Sequence, residues 1–214
     1  MVAGATAKAY EHIIQGIFSG KFPLGSPLSE KEIGNLLGLS RSPVREAMKH
    51  LEAEGLVFHF PGRGTFVTDV TMRDLEEIFE LRILLELHAL RVACDYISDE
   101  TLNNLIQDFM KLTSDSSPQQ YYDANQKLHT TIIKHGGNTR LKRFYELLSA
   151  QITVVTHISS RNPEIINRSW EMHLSILKAM LSRDINLAES YLYQHLLEVR
   201  EGTLKELAQP RPLK

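Results

Sequence analysis

Residues 28–67, LSEKEIGNLLGLSRSPVREAMKHLEAEGLVFHFPGRGTFV, contain the strongest structural signals in this chain. Ser29 begins a capping-box pattern, in which Glu32 follows three residues later. This pattern predicts a helix that starts at Ser29 and runs to about Leu37. Gly38 is suited to end that helix in a left-handed conformation. The stretch therefore opens with a short helix and a sharp turn.

A second helix follows at once. Ser40 or Ser42 can cap its first turn, and Pro43 lies where a proline is tolerated at a helix start. Gly55 is placed to end it. Apolar residues recur at helical spacing along it and predict a buried stripe made of Val44, Ala47, Met48 and Leu51. Two helices joined by so short a turn are typical of a helix-turn-helix.

The flanking residues extend this motif on both sides. Two β-rich runs, LVFHF at 56–60 and TFVTDV at 65–70, lie around PGRG and predict a hairpin. Upstream, apolar spacing predicts an amphipathic helix over 6–19. GKFPLGSPL at 20–28 holds two Pro and two Gly and predicts a loop. The order helix, helix, turn, helix, hairpin is that of a winged helix-turn-helix.

The rest of the chain shows helical periodicity and no convincing strand pattern. Breaks at Ser, Gly, Asn, Pro and Arg-Asp sites predict helices over 74–96, 98–113, 118–135, 139–159, 163–182 and 185–208. The predicted fold class is mainly α: an N-terminal winged helix-turn-helix followed by an all-α bundle of about six helices. Residues 69–73 are predicted to link a domain at 1–70 to a domain at 74–209.

The composition is that of an ordinary folded protein of 214 residues, with 43% hydrophobic and 23% charged residues. It excludes a disordered or fibrous chain, and no apolar run approaches the roughly 18 residues of a membrane helix. The single cysteine, Cys94, suits a reducing cytoplasm, and the N-terminus lacks the apolar core of a signal peptide. Because the net charge is −2, any nucleic-acid contact must use a local basic patch.

The second helix of the turn carries such a patch. Arg41 and Arg45 are four residues apart, so they share a helix face, and arginine reads guanine through two donors at once. The alternative is that they form surface salt bridges with Glu46, Glu52 or Glu54. The helix-turn-helix and the glycine-tipped hairpin favour double-stranded DNA. The predicted DNA contacts are Lys31, Arg41, Ser42, Arg45, Gly62, Arg63 and Gly64.

The helical half contains a second constellation, made of histidines. Asn125 and His129 are four residues apart and share a helix face. His173 and His195 flank the break at 183–184 at nearly equal distances, so both lie roughly 16 Å from it on antiparallel neighbours. Three imidazoles that meet inside a bundle form a metal-ligand arrangement. The alternative is that each ring is a hydrogen-bonded core residue.

Residues 8–68 resemble the DNA-binding domain of the GntR family of bacterial transcription regulators. LRILLELHALRVA at 81–93 and the later histidines are similar to the FCD subfamily, and the six-helix count resembles its shorter, VanR-like branch. The resemblance implies a homodimer that binds a short inverted repeat. It also implies a divalent metal, zinc or nickel, held by one Asp and three His. The matching positions here are Asn125, in place of the Asp, and His129, His173 and His195.

Arg82 and Arg140 are the predicted effector contacts. Arg82 can clamp a carboxylate with its guanidinium fork, or it pairs with Glu86 at four-residue spacing on the surface. We expect a ligand-responsive transcription regulator, a repressor, that binds a small organic acid together with the metal. The alternatives are a metal sensor and a three-His metalloenzyme fused to a DNA-binding head. We expect no enzyme, because no general base lies at helical spacing beside the histidines.

Overall fold

The computed structural model describes residues 4–113, 116–160 and 162–208, and most of these residues are helical. In chain order the elements are α1 (Gly4–Phe18), β1 (Pro27–Leu28), α2 (Glu30–Leu37), α3 (Arg41–Ala53), β2 (Val57–Phe60), β3 (Gly64–Val67), α4 (Met72–Tyr96), α5 (Asp99–Met110), α6 (Pro118–His135), α7 (Thr139–Ser159), α8 (Pro163–Leu181) and α9 (Ile185–Ala208). The mainly α fold class is confirmed. None of the helices in the described ranges is long and apolar enough to cross a membrane.

The described residues form two compact units. One contains residues 4–71 and 149–157, and the other contains residues 72–148 and 158–208. Helix α7 therefore contributes to both units, which the sequence did not predict. Residues 152–157 are buried around the whole helix. A helix buried on every face has no amphipathic stripe from which its place in one core can be predicted.

The link between the two halves of the chain is shorter than predicted. Helix α4 begins at Met72, so the last two residues of the predicted linker, Met72 and Arg73, already form its first turn. Arg73 donates to Glu77 one turn later, at 2.8 Å, which stabilises a helix at this point. The predicted domain bounds stay a prediction, and their outer limits at residues 1 and 209 lie outside the described ranges.

The caps of α2 and α3 follow the sequence signals. Ser29 Oγ accepts the N–H of Glu32 at 3.2 Å, and Gly38 follows α2 with a left-handed backbone (φ 68°). Ser40, rather than Ser42, is the N-cap of α3, and it makes no side-chain capping hydrogen bond. Helix α3 packs against α1 and α2. The predicted buried stripe is confirmed, with exposures of at most 3%, at Val44, Ala47, Met48 and Leu51.

The small sheet contains a strand that the sequence did not predict. β2 and β3 form the predicted hairpin, and β1 pairs antiparallel with the other edge of β3. Pro27 lies opposite Phe66, and Leu28 lies opposite Thr65. The prediction of a loop over all of 20–28 is therefore wrong for its last two residues. A two-residue strand has no alternation to detect, and an edge strand tolerates proline.

Helix α4 lies at the centre of the second unit, where it packs against α6 and α9, and α8 packs against α9 and α5. The helices predicted over 118–135, 139–159 and 185–208 are confirmed at both ends. A complete capping box at Ser117 and Gln120 explains the sharp start of α6. Fully buried side chains of this unit include Phe79, Leu90, Leu102, Phe109, Leu128 and Ile132.

Two contacts set how the helices of the second unit meet. A Cβ added at Gly136, just after α6, would lie 2.7 Å from the Cβ of Ala89 on α4 and 2.8 Å from its Cα. Glycine permits this close approach because it has no side chain. At the α8–α9 turn, Arg183 has a left-handed backbone (φ 59°) and donates to the carbonyls of Cys94 and Ile97 at the end of α4. Helices α6, α8 and α9 are thus anchored on α4.

We expect Gly136→Ala to lower the free energy of unfolding by about 1–3 kcal/mol, because the added methyl group must push α6 away from α4. Chemical denaturation followed by circular dichroism measures this change. Gly4→Ala is the matched control, since a Cβ there meets nothing within 4 Å. An unchanged denaturation midpoint in Gly136→Ala would show that the two helices do not approach this closely.

Candidate metal centre and nucleic-acid interface

Helix α3 presents a polar face to solvent. Arg41, Ser42 and Arg45 are exposed there, and Lys31 is exposed on α2. Within the described part of the chain, Arg41 and Lys31 take part in no hydrogen bond or ion pair. Their charges are therefore available to a polyanion such as a nucleic-acid backbone.

Arg45 is held by a residue that the sequence reasoning did not single out. Its Nε donates to Oε1 of Glu30 and its Nη2 donates to Oε2, both at 2.8 Å. These hydrogen bonds hold the pKa of Glu30 below its ordinary value, so the carboxylate is ionised at neutral pH. The pair occupies the Nε–Nη2 edge of the guanidinium. The Nη1–Nη2 edge stays available for a second, forked acceptor such as guanine.

The carboxylates that were alternative partners for the two arginines have other partners. Glu46 pairs with Lys49 at 2.9 Å, Glu52 accepts the backbone N–H of His59 at 3.1 Å, and Glu54 accepts from Tyr10 at 2.7 Å. The salt-bridge alternative is therefore wrong about the partners. It is right that Arg45 forms a salt bridge, because Glu30 on α2 pairs with Arg45 on α3.

The turn between β2 and β3 depends on its two glycines. Gly62 and Gly64 have positive φ angles of 77° and 99°, and nothing lies within 4 Å of the position of an added Cβ. The tip is therefore open to close approach by a partner. Arg63 between them is exposed, with its guanidinium 5.2 Å from the centroid of the Phe60 ring. This cation–π contact restricts the directions in which Arg63 can point.

Three histidines that the sequence singled out meet inside the second unit. His129 on α6, His173 on α8 and His195 on α9 are each at most 2% exposed. Nε2 of His173 lies 3.3 Å from Nε2 of His129 and 3.1 Å from Nε2 of His195. One ligand atom from each ring lies within 4.8 Å of the others, and no other such group of His, Cys, Asp or Glu occurs among the described residues.

Two of the three separations between these nitrogens fit a tetrahedral metal ion. Zinc–nitrogen bonds of about 2.0–2.1 Å place two tetrahedral ligands about 3.3 Å apart. The observed separations are 3.3 and 3.1 Å. Imidazole nitrogens suit zinc and nickel. The three rings can therefore supply three of the four positions around the predicted divalent metal.

Burial keeps two of these rings neutral. It lowers the pKa of His173 and of His195 well below the ordinary value, and nearby positive charge lowers both further, while Glu86 partly opposes this at His195. Neutral imidazole is the form that binds a metal. The Phe109 ring packs on His173, with ring centroids 4.9 Å apart, and so excludes water from one side of the cluster.

A buried carboxylate lies behind His129. Oε2 of Glu86 is 2.6 Å from Nδ1 of His129, while Oε1 accepts from Arg82 Nε at 2.7 Å and from the Tyr145 hydroxyl at 3.2 Å. Burial opposes ionisation of Glu86, but Arg82 and His129 outweigh it, so the pKa of Glu86 lies well below its ordinary value. The Arg82–Glu86 pair therefore exists, but both side chains are at most 3% exposed rather than on the surface.

The remaining predicted site residues lie in different surroundings. Asn125 is 6% exposed and precedes His129 by one turn of α6. Arg82 adjoins the histidines through Glu86. Arg140 is exposed in the first turn of α7, where its backbone N–H donates to Asn138 at 3.0 Å. The contacts of Arg140 do not bring it to the histidine cluster.

A cleft of about 270 Å³ between α8 and α9 reaches the cluster, because His195 lies in its wall. Arg168 and Glu198 form a forked ion pair in it, at 2.8 and 3.2 Å. The other lining residues are Glu164, Ile165, Ser169, Met172 and Val199. The cleft therefore leads from the surface to the wall that contains His195, while the ring itself stays buried.

Comparisons with known proteins assign a family to each half of the chain. Residues 5–67 match the family described as "Bacterial regulatory proteins, gntR family". Residues 77–198, more than half of the chain, match the family described as "FCD domain". The two matches fall on the winged helix-turn-helix and on the helices that carry the histidines.

Individual relatives and solved structures agree with these matches. The chain is 29% identical over 189 residues to a protein of Paenarthrobacter nicotinovorans described as a "Probable D-xylose utilization operon transcriptional repressor", covering 87% of this chain and 83% of that protein. A GntR-type structure from Rhodococcus sp. RHA1 superimposes with a TM-score of 0.70 at 20% identity, covering 96% and 99% of the two chains. The Zn²⁺-bound FCD domain of TM0439 does so with a TM-score of 0.59 at 24% identity, covering 66% and 99%. Both structures share the fold.

We expect Arg45→Ala to lower the affinity for the DNA duplex that the wild-type chain selects from random sequences by about 5- to 150-fold. The variant should melt within about 2 °C of the wild type, because an exposed ion pair adds little stability. Fluorescence anisotropy with the selected and a scrambled duplex measures the affinity. Lys49→Ala, on the same helix and also ion-paired, is the control and should weaken both duplexes equally. Undiminished specific binding by Arg45→Ala would mean that α3 does not read the bases.

Proposed function

Because the chain belongs to the GntR family of bacterial regulatory proteins, with an FCD domain in its helical half, we propose that it is a ligand-responsive repressor of transcription. The family consists of transcription regulators rather than enzymes, and its winged helix-turn-helix binds operator DNA. The repressor assignment is supported by the Paenarthrobacter relative, which is described as a repressor. We propose that the signal is a small organic acid that binds together with a divalent metal.

The convergence of three Nε2 atoms, at 3.1 and 3.3 Å, is the observation that carries the metal part of this proposal. The three donors come from three different helices, and all three rings are closed off from solvent. Zinc or nickel would complete its coordination with an oxygen donor. The Asn125 amide, one turn from His129, is the proposed protein donor, and it brings no charge.

The charge of the site supports an acidic effector. Three neutral imidazoles and an amide leave both charges of a divalent ion uncompensated, and the buried Arg82–Glu86 pair is neutral as a whole. Uncompensated charge is costly in a buried site. A small organic acid would neutralise the ion with its carboxylates and supply oxygen ligands at the same time. Metal and acid should therefore bind more tightly together than separately.

Arg82 is the nearer of the two proposed effector contacts. Its guanidinium is 2% exposed and close enough to the cluster to lower the pKa of His173 and His195. Its Nε is occupied by Glu86, so an effector carboxylate would bind its other nitrogens. Arg140 would act only if the effector extended to the first turn of α7. The cleft that reaches His195 is the proposed route of entry.

We also propose that the protein acts as a homodimer on a short inverted repeat. A two-fold operator is read by two copies of the same head. The second unit leaves large apolar side chains exposed, among them Leu84 (68%), Phe144 (62%) and Leu147 (76%). A homodimer that covered these side chains would remove apolar surface from water.

Two further predictions from the sequence are kept as part of this proposal. The first is assignment to the VanR-like branch, which is supported by the number of helices in the second half, α4 to α9. The second is a location in the cytoplasm, the compartment in which a bacterial regulator meets the chromosome.

Burial raises the pKa of the Cys94 thiol to about 11, which keeps it in the unreactive, protonated form.

A metal sensor is the second candidate function. The three histidines can bind an ion without any organic ligand, because their nitrogens already lie at ligand spacing. The cleft contains the carboxylates of Glu164 and Glu198 and the guanidinium of Arg168, so its net negative charge would attract a cation. In this case the ion alone would be the signal.

We expect zinc together with one of a panel of small di- and tricarboxylates to change operator affinity by about 5- to 150-fold. His173→Ala should bind the operator like the wild type without ligands and show no response, because it lacks one of the three nitrogens. His135→Ala is the control: among the described residues this half-buried ring bonds only to the Thr131 carbonyl, at 2.9 Å, so the response should remain. A response to zinc alone would favour the metal sensor. Saturating zinc and acid without any change in affinity would contradict the proposal.

A further inference from the structure

The contact between Glu86 and His129 decides which nitrogen of this ring carries the proton. Oε2 of Glu86 lies 2.6 Å from Nδ1 of His129, and both side chains are at most 1% exposed. An ionised carboxylate only accepts, so Nδ1 must donate. Because Nδ1 holds its proton toward Glu86, the ring can bind an ion only through Nε2, the atom that faces His173 at 3.3 Å.

Glu86 is itself held in place. Its other oxygen accepts from Arg82, one helical turn earlier on α4, and from Tyr145 on α7. Rotation of the carboxylate would break these contacts between side chains that are buried. Only Oε2 is therefore left for His129. The direction of the imidazole is thus set from α4, although the ring belongs to α6.

The other two rings of the cluster lack such a partner. Nδ1 of His173 and Nδ1 of His195 are buried and have no hydrogen-bond partner among the described residues. Their tautomers are therefore not preset in this way. The cluster itself holds no carboxylate. Glu86 is the anionic group that contacts it, through a ring nitrogen rather than as a ligand.

We propose that Glu86 is the positioning residue of the metal centre: it locks His129 in the form whose Nε2 is free to bind the ion, and so ties metal occupancy to helix α4. The inference rests on the proposed function, because it assumes that the three histidines bind a metal. A carboxylate that holds the far nitrogen of a metal-bound histidine raises its basicity and orients it. Only residues 68–71 separate β3 of the DNA-binding head from the start of α4.

Glu86→Gln is the decisive variant, because the carboxylate accepts from both Arg82 and His129, whereas an amide has only one oxygen that accepts. Arg82 Nε must donate, so the amide oxygen turns to Arg82 and the NH₂ group faces His129. Nδ1 of His129 then becomes an acceptor, and the proton moves to Nε2, the nitrogen that should bind the ion. We expect the zinc affinity to fall about 10- to 100-fold, measured by competition with a chromophoric chelator on the full chain.

Glu189→Gln is the matched control. It makes the same chemical change in another carboxylate that pairs with α4, through Arg91, but outside the cluster. Its zinc affinity should stay within about threefold of the wild type, whereas loss of a carboxylate that holds a metal-bound histidine lowers the affinity about 10-fold or more. An equal loss in both variants would overturn the proposal, because it would trace the effect to general weakening of α4.

The tautomer itself is measured by ¹⁵N long-range NMR on the metal-free protein. We expect His129 as Nδ1–H in the wild type and as Nε2–H in Glu86→Gln. The wild-type spectrum decides even if the variant does not fold, and an Nε2–H form there would overturn the proposal. Zinc binding that is unaffected by Glu86→Gln would overturn the proposed role of Glu86, but it would not contradict the metal site itself. No zinc binding by the wild type would contradict the metal site of the proposed function as well.

Discussion

Three buried imidazoles, from His129, His173 and His195, face one another inside the second unit. Each Nε2 carries a lone pair or a proton, and lone pairs 3.1 to 3.3 Å apart repel unless a cation or a proton lies between them. An unsatisfied buried polar group costs about 1–3 kcal/mol, and two Nδ1 atoms have no partner among the described residues. A core built for stability alone would fill this space with apolar side chains. The cluster therefore supports the proposal that this site binds a metal ion.

The arrangement requires four helices to stay in register. Helix α4 supplies Glu86, and α6, α8 and α9 each supply one histidine. The close approach at Gly136 anchors α6 on α4, and Arg183 anchors the α8–α9 turn on the end of α4. A ligand that pulls the three rings together thus acts on the helix that follows the DNA-binding head in the chain. This continuity offers a physical basis for coupling between the two sites.

Features that depend on neighbours in sequence could be predicted, whereas most tertiary contacts could not. The meeting of His173 and His195 is the exception, because both lie at nearly equal distances from one turn. The caps at Ser29 and Gly38 and the bounds of α6, α7 and α9 follow from local patterns. The ion pair of Glu30 and Arg45 joins residues 15 apart on two helices, and the contact of Glu86 with His129 spans 43 residues. Periodicity shows which side chains face inward, but it does not show which of them touch. The two-residue strand β1 is too short to leave any pattern.

Zinc-edge X-ray absorption on the zinc-loaded full chain examines the metal centre itself. Three imidazole nitrogens at about 2.0–2.1 Å, with oxygen completing the shell and no sulfur, would agree with the proposed site. A sulfur shell, which would implicate Cys94, or at most one imidazole per zinc would show that the three histidines do not form the metal site.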